Sequence, residues 1–239
     1  MQEKQNILTV PAAIVIAGLV VGGAILYKKG AFVEPAANAN IAVVAAAEAK
    51  VPAVSPRDHI LGNPDAPVKI IEYSDLQCPY CQLFHTTMQQ VMKEYGSKGQ
   101  VAWVYRHFWS ERKDPNGNIF HAKAGISAEA SECVAELAGN ATFWKYIDRI
   151  FQDTPQSLDN LTGVAKDTGV DEKSFTACLN SRKYKNFIEQ EEYTTAVQAG
   201  VRATPWNYVV GKDGSHVLIE GAQSYATVKQ IIDTMLKQP

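Results

Sequence analysis

The chain has 239 residues, 46% hydrophobic and 20% charged, with a formal net charge of −2. This is enough to bury a sizeable core in one domain plus an appendage. The 23 basic residues are scattered among 25 acidic ones, with no basic stripe and interleaved aromatics, which argues against a nucleic-acid partner.

The first element is apolar. Gln5 to Tyr27 carry no charge and are flanked by Lys4 and by Lys28-Lys29, a run long enough to cross a bilayer's hydrocarbon core. It reads as a single membrane span over residues 7–27, with 1–29 as the anchor. A cleaved secretory signal would have a shorter apolar region, and the nearest A-x-A, Ala37-Asn38-Ala39, lies well past its end. The Lys28-Lys29 pair by itself favours leaving the large domain in the cytoplasm. Four cysteines in the remaining chain favour an oxidising compartment, and long domains translocate largely regardless of flanking charge. The domain is therefore expected outside the cytoplasm, in the periplasm or at the cell exterior. Residues 30–56 are mostly Ala, Val, Asn and Pro, a low-complexity tether without a core of its own.

The folded domain is expected from Arg57. Turn chemistry at Gly62-Asn63-Pro64-Asp65-Ala66-Pro67 delivers the chain into a strand, Val68 to Tyr73, which hands over to a helix opening on Cys78-Pro79-Tyr80-Cys81. The apolar stripe of that helix, Phe84, Met88, Val91, Met92 and Tyr95, continues back one turn to Cys81. Cys81 thus reads as buried and Cys78, in the first turn, as exposed. The free amides and dipole of a helix start favour a thiolate at Cys78, and Pro79 suits the first turn because its missing N–H has no helical partner there. The motif is also half of a zinc site, and Cys78, Cys81 and His85 could supply three ligands. A second ligand pair at similar spacing is lacking, since Cys133 and Cys178 stand singly, so no metal and no cofactor are expected. His85 is assigned to the helix surface.

A turn at Gly96-Ser97-Lys98-Gly99 leads to a second strand, Val101 to Phe108, and Asp114-Pro115-Asn116-Gly117 ends this first part at residues 57–117. Residues 118–199 have helical periodicity almost throughout. Ile119, Ile126, Ala130, Cys133 and Leu137 form one stripe, and further helices are expected at Thr142 to Phe151, Ser157 to Lys166, Asp171 to Leu179 and Arg182 to Ala199. Over 200–239 the chain returns to strand at Asn207 to Val210, turns at Gly211-Lys212-Asp213-Gly214, forms His216 to Ile219 and closes with a helix, Tyr225 to Leu236. The order β-α-β, helices, β-β-α is that of an α/β thioredoxin fold interrupted by an all-helical insertion.

The stretches "GNPDAPVKIIEYSDLQCPYC", "VYRHF", "FTACLNSRKY", "AGVRATPWNYVVG" and "EGAQSY" resemble the DsbA-like branch of the thioredoxin superfamily, in its single-span or secreted bacterial and archaeal form. The resemblance covers about Asp58 to Leu236. It implies a protein thiol:disulfide oxidoreductase in which Cys78 is the nucleophile and Cys81 the resolving thiol. Thr204-Pro205 matches the family's cis-proline loop, and Glu72 its buried acid. Left to the residues alone, Thr204-Pro205 could be a trans turn and Glu72 a half-exposed strand carboxylate. Tyr80 departs from the strongest oxidants of the family, which carry histidine there. Trp206, bulky for its position after Pro205, reads either as a groove residue or as a core aromatic.

Cys133 and Cys178 both lie on apolar stripes of the insertion, and similar proteins sometimes bridge this pair. A Cys133–Cys178 disulfide is therefore expected, against the alternative of two buried free thiols. The resemblance further implies thiol-containing exported proteins as substrates, a membrane redox partner that reoxidises the pair, and a monomer. Three functions stay open: a dithiol oxidase, a reductase or isomerase using the same cysteines, and a metal or peptide binder on the same scaffold. With the helix dipole retained and the histidine absent, Cys78 is expected to ionise at roughly 4.5 to 6, and the pair to sit at roughly −150 to −220 mV.

Overall fold

The computed structural model describes residues 51–109, 113 and 115–237. The apolar run at 5–27 and most of the tether lie outside the described residues, and no helix among the described residues is long and apolar enough to cross a membrane.

Five strands form one sheet: β1 (His59–Gly62), β2 (Val68–Ser74), β3 (Val101–His107), β4 (Trp206–Val210) and β5 (His216–Glu220), in the order β1-β3-β2-β4-β5. β2 and β3 are parallel, joined through helix α1 (Pro79–Glu94); every other pairing is antiparallel. β1 was not legible as a strand. It has four residues, ends in glycine beside turn chemistry, and is held at the sheet edge by its antiparallel pairing with β3.

The side-chain period of two sorts the central strands into two faces. Ile71, Tyr73, Val104, Trp206 and Tyr208 join one core with Ala196, Ala199 and Val201. Glu72 in β2 stands in register with Tyr105 in β3 and Asn207 in β4, so these three share the opposite face. α1 lays its buried stripe, Cys81, Phe84, His85, Met88 and Val91, toward the interior. It is tied to the last helix, α7 (Tyr225–Met235), by Tyr95 Oη–H donating to Asp233 at 2.5 Å and by Lys229 donating to Glu94 at 2.8 Å.

The insertion comprises α2 (Ala124–Ala138), α3 (Asn140–Gln152), α4 (Leu161–Asp167), α5 (Glu172–Ser181) and α6 (Tyr193–Gln198). α2 and α5 are joined by the Cys133–Cys178 disulfide, with Cα atoms 5.9 Å apart, and by Arg182 donating twice to Glu129, at 3.0 and 2.7 Å. The helix expected over Arg182 to Ala199 is present, starting at Lys185 and running without a gap through a π-helical turn to Gln198. Arg182 turns left-handed at φ 54° to cap α5, and a π-helical turn, Phe187–Glu192, precedes α6. The helix expected over Ser157 to Lys166 is divided, because Asn160 caps α4 by accepting from the Gly163 amide. Ile119 pairs with Lys113 in an isolated bridge ahead of α2, and Leu137 is exposed, so neither completes the stripe read from the sequence.

Contact with the domain begins before Arg57. Val51 and Val54 pack on the core of the Ile71 face, and buried Arg106 donates to the carbonyls of Pro52 at 3.2 Å and Ala53 at 3.1 Å. The same guanidinium takes both oxygens of Asp58, at 2.6 and 3.0 Å, with both side chains less than a tenth exposed. Removing one partner of such a pair strands a buried charge. Asp58→Ala is therefore expected to cost about 3–5 kcal/mol in urea unfolding, and to open residues 51–53 to proteolysis. A loss below about 1 kcal/mol, the range of exposed pairs, would show the pair to be peripheral.

Candidate active site

The end of β2 and the start of α1 set the chemistry. Cys78 is the N-cap residue, extended at φ −77° and ψ 121°, with Pro79 opening the helix. The residue is only 5% exposed, not open to solvent as read from the sequence, because the Thr204-Pro205 loop lies over it: Sγ is 3.5 Å from the Thr204 carbonyl. The Thr204–Pro205 bond is cis. Cys81, one turn on, is fully buried, and the Asp75 amide approaches its sulfur at 3.4 Å.

The two sulfurs are therefore unlike. A hydrogen bond from Cys81 lowers the Cys78 pKa to about 6 against the cost of burial, helped by the Thr204 side chain and the amides of Cys81 and Tyr80. Cys81 is pushed well above the ordinary thiol value, first by burial, then by its hydrogen bond to Cys78 and the negative charges of Cys78 and Glu72. Electron density gathers on the sulfur at the helix start, and the proton stays on the inner one.

Beneath Cys81 lies Glu72, fully buried on the sheet. Its Oε2 accepts the Trp103 indole N–H at 2.9 Å. Burial raises its pKa to about 7; Ser74 and Trp103 oppose the rise and the Cys78 charge adds to it. A carboxyl with this pKa holds or releases a proton near neutral pH, as transfer to and from a resolving thiol requires. Tyr105 Oη and Asn207 Oδ1, in register with Glu72, are buried without a hydrogen-bond partner among the described residues.

Other expectations are redistributed. His85 is buried, not on the surface: Nε2 is 2.7 Å from Asp148 Oδ1, and the ring lies against Trp103 and Phe151. α3 covers this side of α1, which widens its buried face beyond the stripe. Among the described residues no group of three or more His, Cys, Asp or Glu side chains is arranged to hold a metal. Trp206 is a core aromatic and not a groove residue, donating from Nε1 to Tyr208 Oη at 3.1 Å. Tyr80 is 63% exposed.

A cavity of about 440 Å³ opens on Cys78, lined by Tyr80, Phe108, Trp109, Phe120, His121 and Thr204 among others. Four of these lining residues are aromatic, one of them Phe120 at 60% exposure. Sequence reasoning missed Asp75, Trp109, Phe120 and His121. They follow no periodicity, and the segment that carries the last two lies some forty residues from the motif.

A profile of the thioredoxin family matches residues 54–234. The chain belongs to the thioredoxin family. It is 28% identical over 76% of its length to the Na(+)/H(+) antiporter NhaA of Herminiimonas arsenicoxydans, but that match spans only 26% of the antiporter. The chain thus corresponds to about a quarter of such proteins. It is 27% identical to the probable disulfide bond formation protein D of Bacillus cereus, over 74% of this chain and 78% of that protein. Among solved structures, oxidised BdbD of Bacillus subtilis superposes with a TM-score of 0.63 at 22% identity, covering 76% of this chain and 94% of that one, which establishes the shared fold.

The Glu72 carboxyl couples folding to pH. The unfolded carboxyl ionises near 4.5, whereas the folded one keeps its proton to about 7. Folding therefore takes up a proton between these values, and this group's contribution to stability falls as pH rises through that window, by up to about 3 kcal/mol. Glu72→Gln is expected to flatten that part of the stability–pH curve in urea unfolding of the oxidised protein, while slowing thiol exchange. Identical pH profiles for the two proteins would show that Glu72 does not carry a raised pKa.

Proposed function

We propose that the chain is a membrane-anchored thiol:disulfide oxidoreductase acting outside the cytoplasm, a dithiol oxidase that introduces disulfides into exported proteins through Cys78 and Cys81. The observation that carries this reading is the asymmetry of the two sulfurs, one lowered to about 6 and the other raised well above the ordinary thiol value. The similarity to disulfide bond formation protein D supports the same direction.

In the oxidised protein a substrate thiolate attacks Cys78 Sγ. The Cys78–Cys81 bond breaks, a mixed disulfide forms at Cys78, and Cys81 leaves as a thiolate that takes up a proton, with Glu72 as the nearby donor. A second substrate thiolate then attacks the substrate sulfur of the mixed disulfide. Cys78 leaves as a stabilised thiolate, the substrate carries the new disulfide, and two electrons remain on the pair as thiols. A membrane redox partner would remove those electrons. Residues 7–27 would hold the protein in the membrane, and the domain would act as a monomer without metal or cofactor. Cys78 is the sulfur that exchanges with substrate, attacked when the pair is oxidised and the nucleophile when it is reduced, Cys81 is the resolving thiol, and Pro79, Tyr80, Thr204 and Pro205 frame the substrate's approach.

A second reading has one observation in its favour. A Cys78 pKa of about 6 lies nearer the value of about 7 in thioredoxin than the value of about 3.5 in the strongest oxidants, so the same residues could run as a reductase.

Cys78→Ser is expected to abolish disulfide exchange by the purified full chain, and Cys81→Ser to accumulate mixed disulfides with a disulfide-bonded substrate, which the Cys78 thiolate attacks and no second thiol of the pair then releases. Redox titration of the pair against glutathione is expected to give roughly −150 to −220 mV. Full activity of Cys78→Ser would refute the enzyme assignment. A potential near about −270 mV, that of thioredoxin, would replace the oxidase by the reductase.

A further inference from the structure

One histidine outside the CPYC motif is built into the cavity beside Cys78. His121 Nδ1 lies 2.5 Å from Asp75 Oδ2. Asp75 is itself fixed, its Oδ1 accepting the Gln77 amide at 2.7 Å and its carbonyl accepting the Cys78 amide at 3.0 Å. The segment that carries His121 is pinned at two further points. The Lys123 amide donates to Gln77 Oε1 at 2.8 Å, and Trp109 Nε1–H donates to the His121 carbonyl at 3.1 Å. Gly125 allows this seating, because a Cβ there would run into the Trp109 ring. His121 is held at φ 54°, a left-handed conformation that a non-glycine residue keeps only where its surroundings impose it.

The Asp75 carboxylate orients the imidazole at the edge of the cavity onto which Cys78 opens. The contact with Asp75 engages Nδ1, and His121 and Cys78 line the same cavity.

We propose that His121, oriented by Asp75, is a positioning residue for thiol exchange: its imidazolium partners the Cys78 thiolate, supplying from outside the CPYC motif the cation that Tyr80 does not provide. The charged groups that act on the ring are Asp75, from the β2–α1 turn, and Cys78, at the start of α1. The Asp75 hydrogen bond raises the imidazole pKa against the cost of burial, and the charges of Asp75 and Cys78 add to the rise. The ring is therefore charged at the pH where Cys78 becomes a thiolate, about 6. Such coupling is reciprocal, so what the thiolate contributes to the imidazolium the imidazolium returns to the thiolate. In the exchange itself, the bond between Cys78 and the substrate sulfur breaks, its electron pair goes to Cys78 Sγ, and His121 faces that charge without transferring a proton.

The inference rests on Cys78 being the reacting sulfur, and the test separates the two failures. Nuclear magnetic resonance titration of the His121 ring, assigned by its contact with Phe120, is made on the purified full chain with the Cys78/Cys81 pair first oxidised and then reduced. The imidazole pKa is expected to be higher in the reduced protein, where alone the thiolate exists. Equal values would overturn the proposal. In His121→Asn, chosen because asparagine tolerates the left-handed backbone, ultraviolet thiolate absorbance is expected to show about three-fold less thiolate near pH 6 than in the natural protein. An unchanged thiolate curve would overturn it as well. Should the variant not fold, the comparison of oxidised and reduced natural protein still decides. If the thiolate formed near pH 6 is lost in Cys81→Ser and retained in Cys78→Ser, the nucleophile itself is misassigned and the inference falls with it.

Discussion

One helical turn separates two sulfurs held in opposite electrostatic environments, and the rest of the domain is arranged to keep them so. Cys78 stands where the free amides and dipole of α1 begin, with a second thiol donating to it. Cys81 stands where the helix meets the sheet and no water reaches. Moving either by one residue along the helix would turn it through about 100°, so the asymmetry depends on the two-residue spacing as much as on the cysteines. Pro79 starts the helix directly after Cys78, and the stripe from Phe84 onward fixes which side of α1 faces inward.

The sheet contributes what the helix cannot. Strand alternation puts Glu72 on the face beneath Cys81, and register brings Tyr105 and Asn207 alongside it, so a protonatable carboxyl is buried among polar groups and not in hydrocarbon alone. The penalty in stability for keeping that carboxyl dry is the source of a pKa near neutrality. β4 begins just after the cis-proline bond and pairs with β2, which lays Thr204 over Cys78. The helical insertion is more than a cover. α3 buries His85 against Asp148 behind the active-site helix, and the segment leading into α2 adds Phe120 and His121 to the cavity wall.

Much of this was legible in the sequence because it is periodic or punctuated. The run from Val68, the turn into Cys78-Pro79, the stripe of α1 and the return to strand after Pro205 each carry a local signal, and the structure has these elements within a residue or so. What was not legible lies in long-range packing. Cys78 looked exposed because nothing local says that a loop 126 residues away covers it. His85 looked superficial because the covering helix, α3, belongs to another part of the chain. The helix expected from Arg182 starts at Lys185 instead, because Arg182 caps α5 in a left-handed turn and pairs with Glu129, 53 residues distant. His121 and Phe120 lie in a segment with Gly, Asn and Pro and no period, where side-chain chemistry is set by what the loop touches.

Exchange at this site depends on the difference between the two thiols. That difference is measured most directly by alkylating the reduced full chain over a range of pH and mapping, peptide by peptide, which cysteine has reacted. The expected result is that Cys78 is modified with an apparent pKa of about 6 and that Cys81 is spared until the pH lies well above the ordinary thiol range. Equal modification of both at a common pKa near the ordinary thiol value would contradict it.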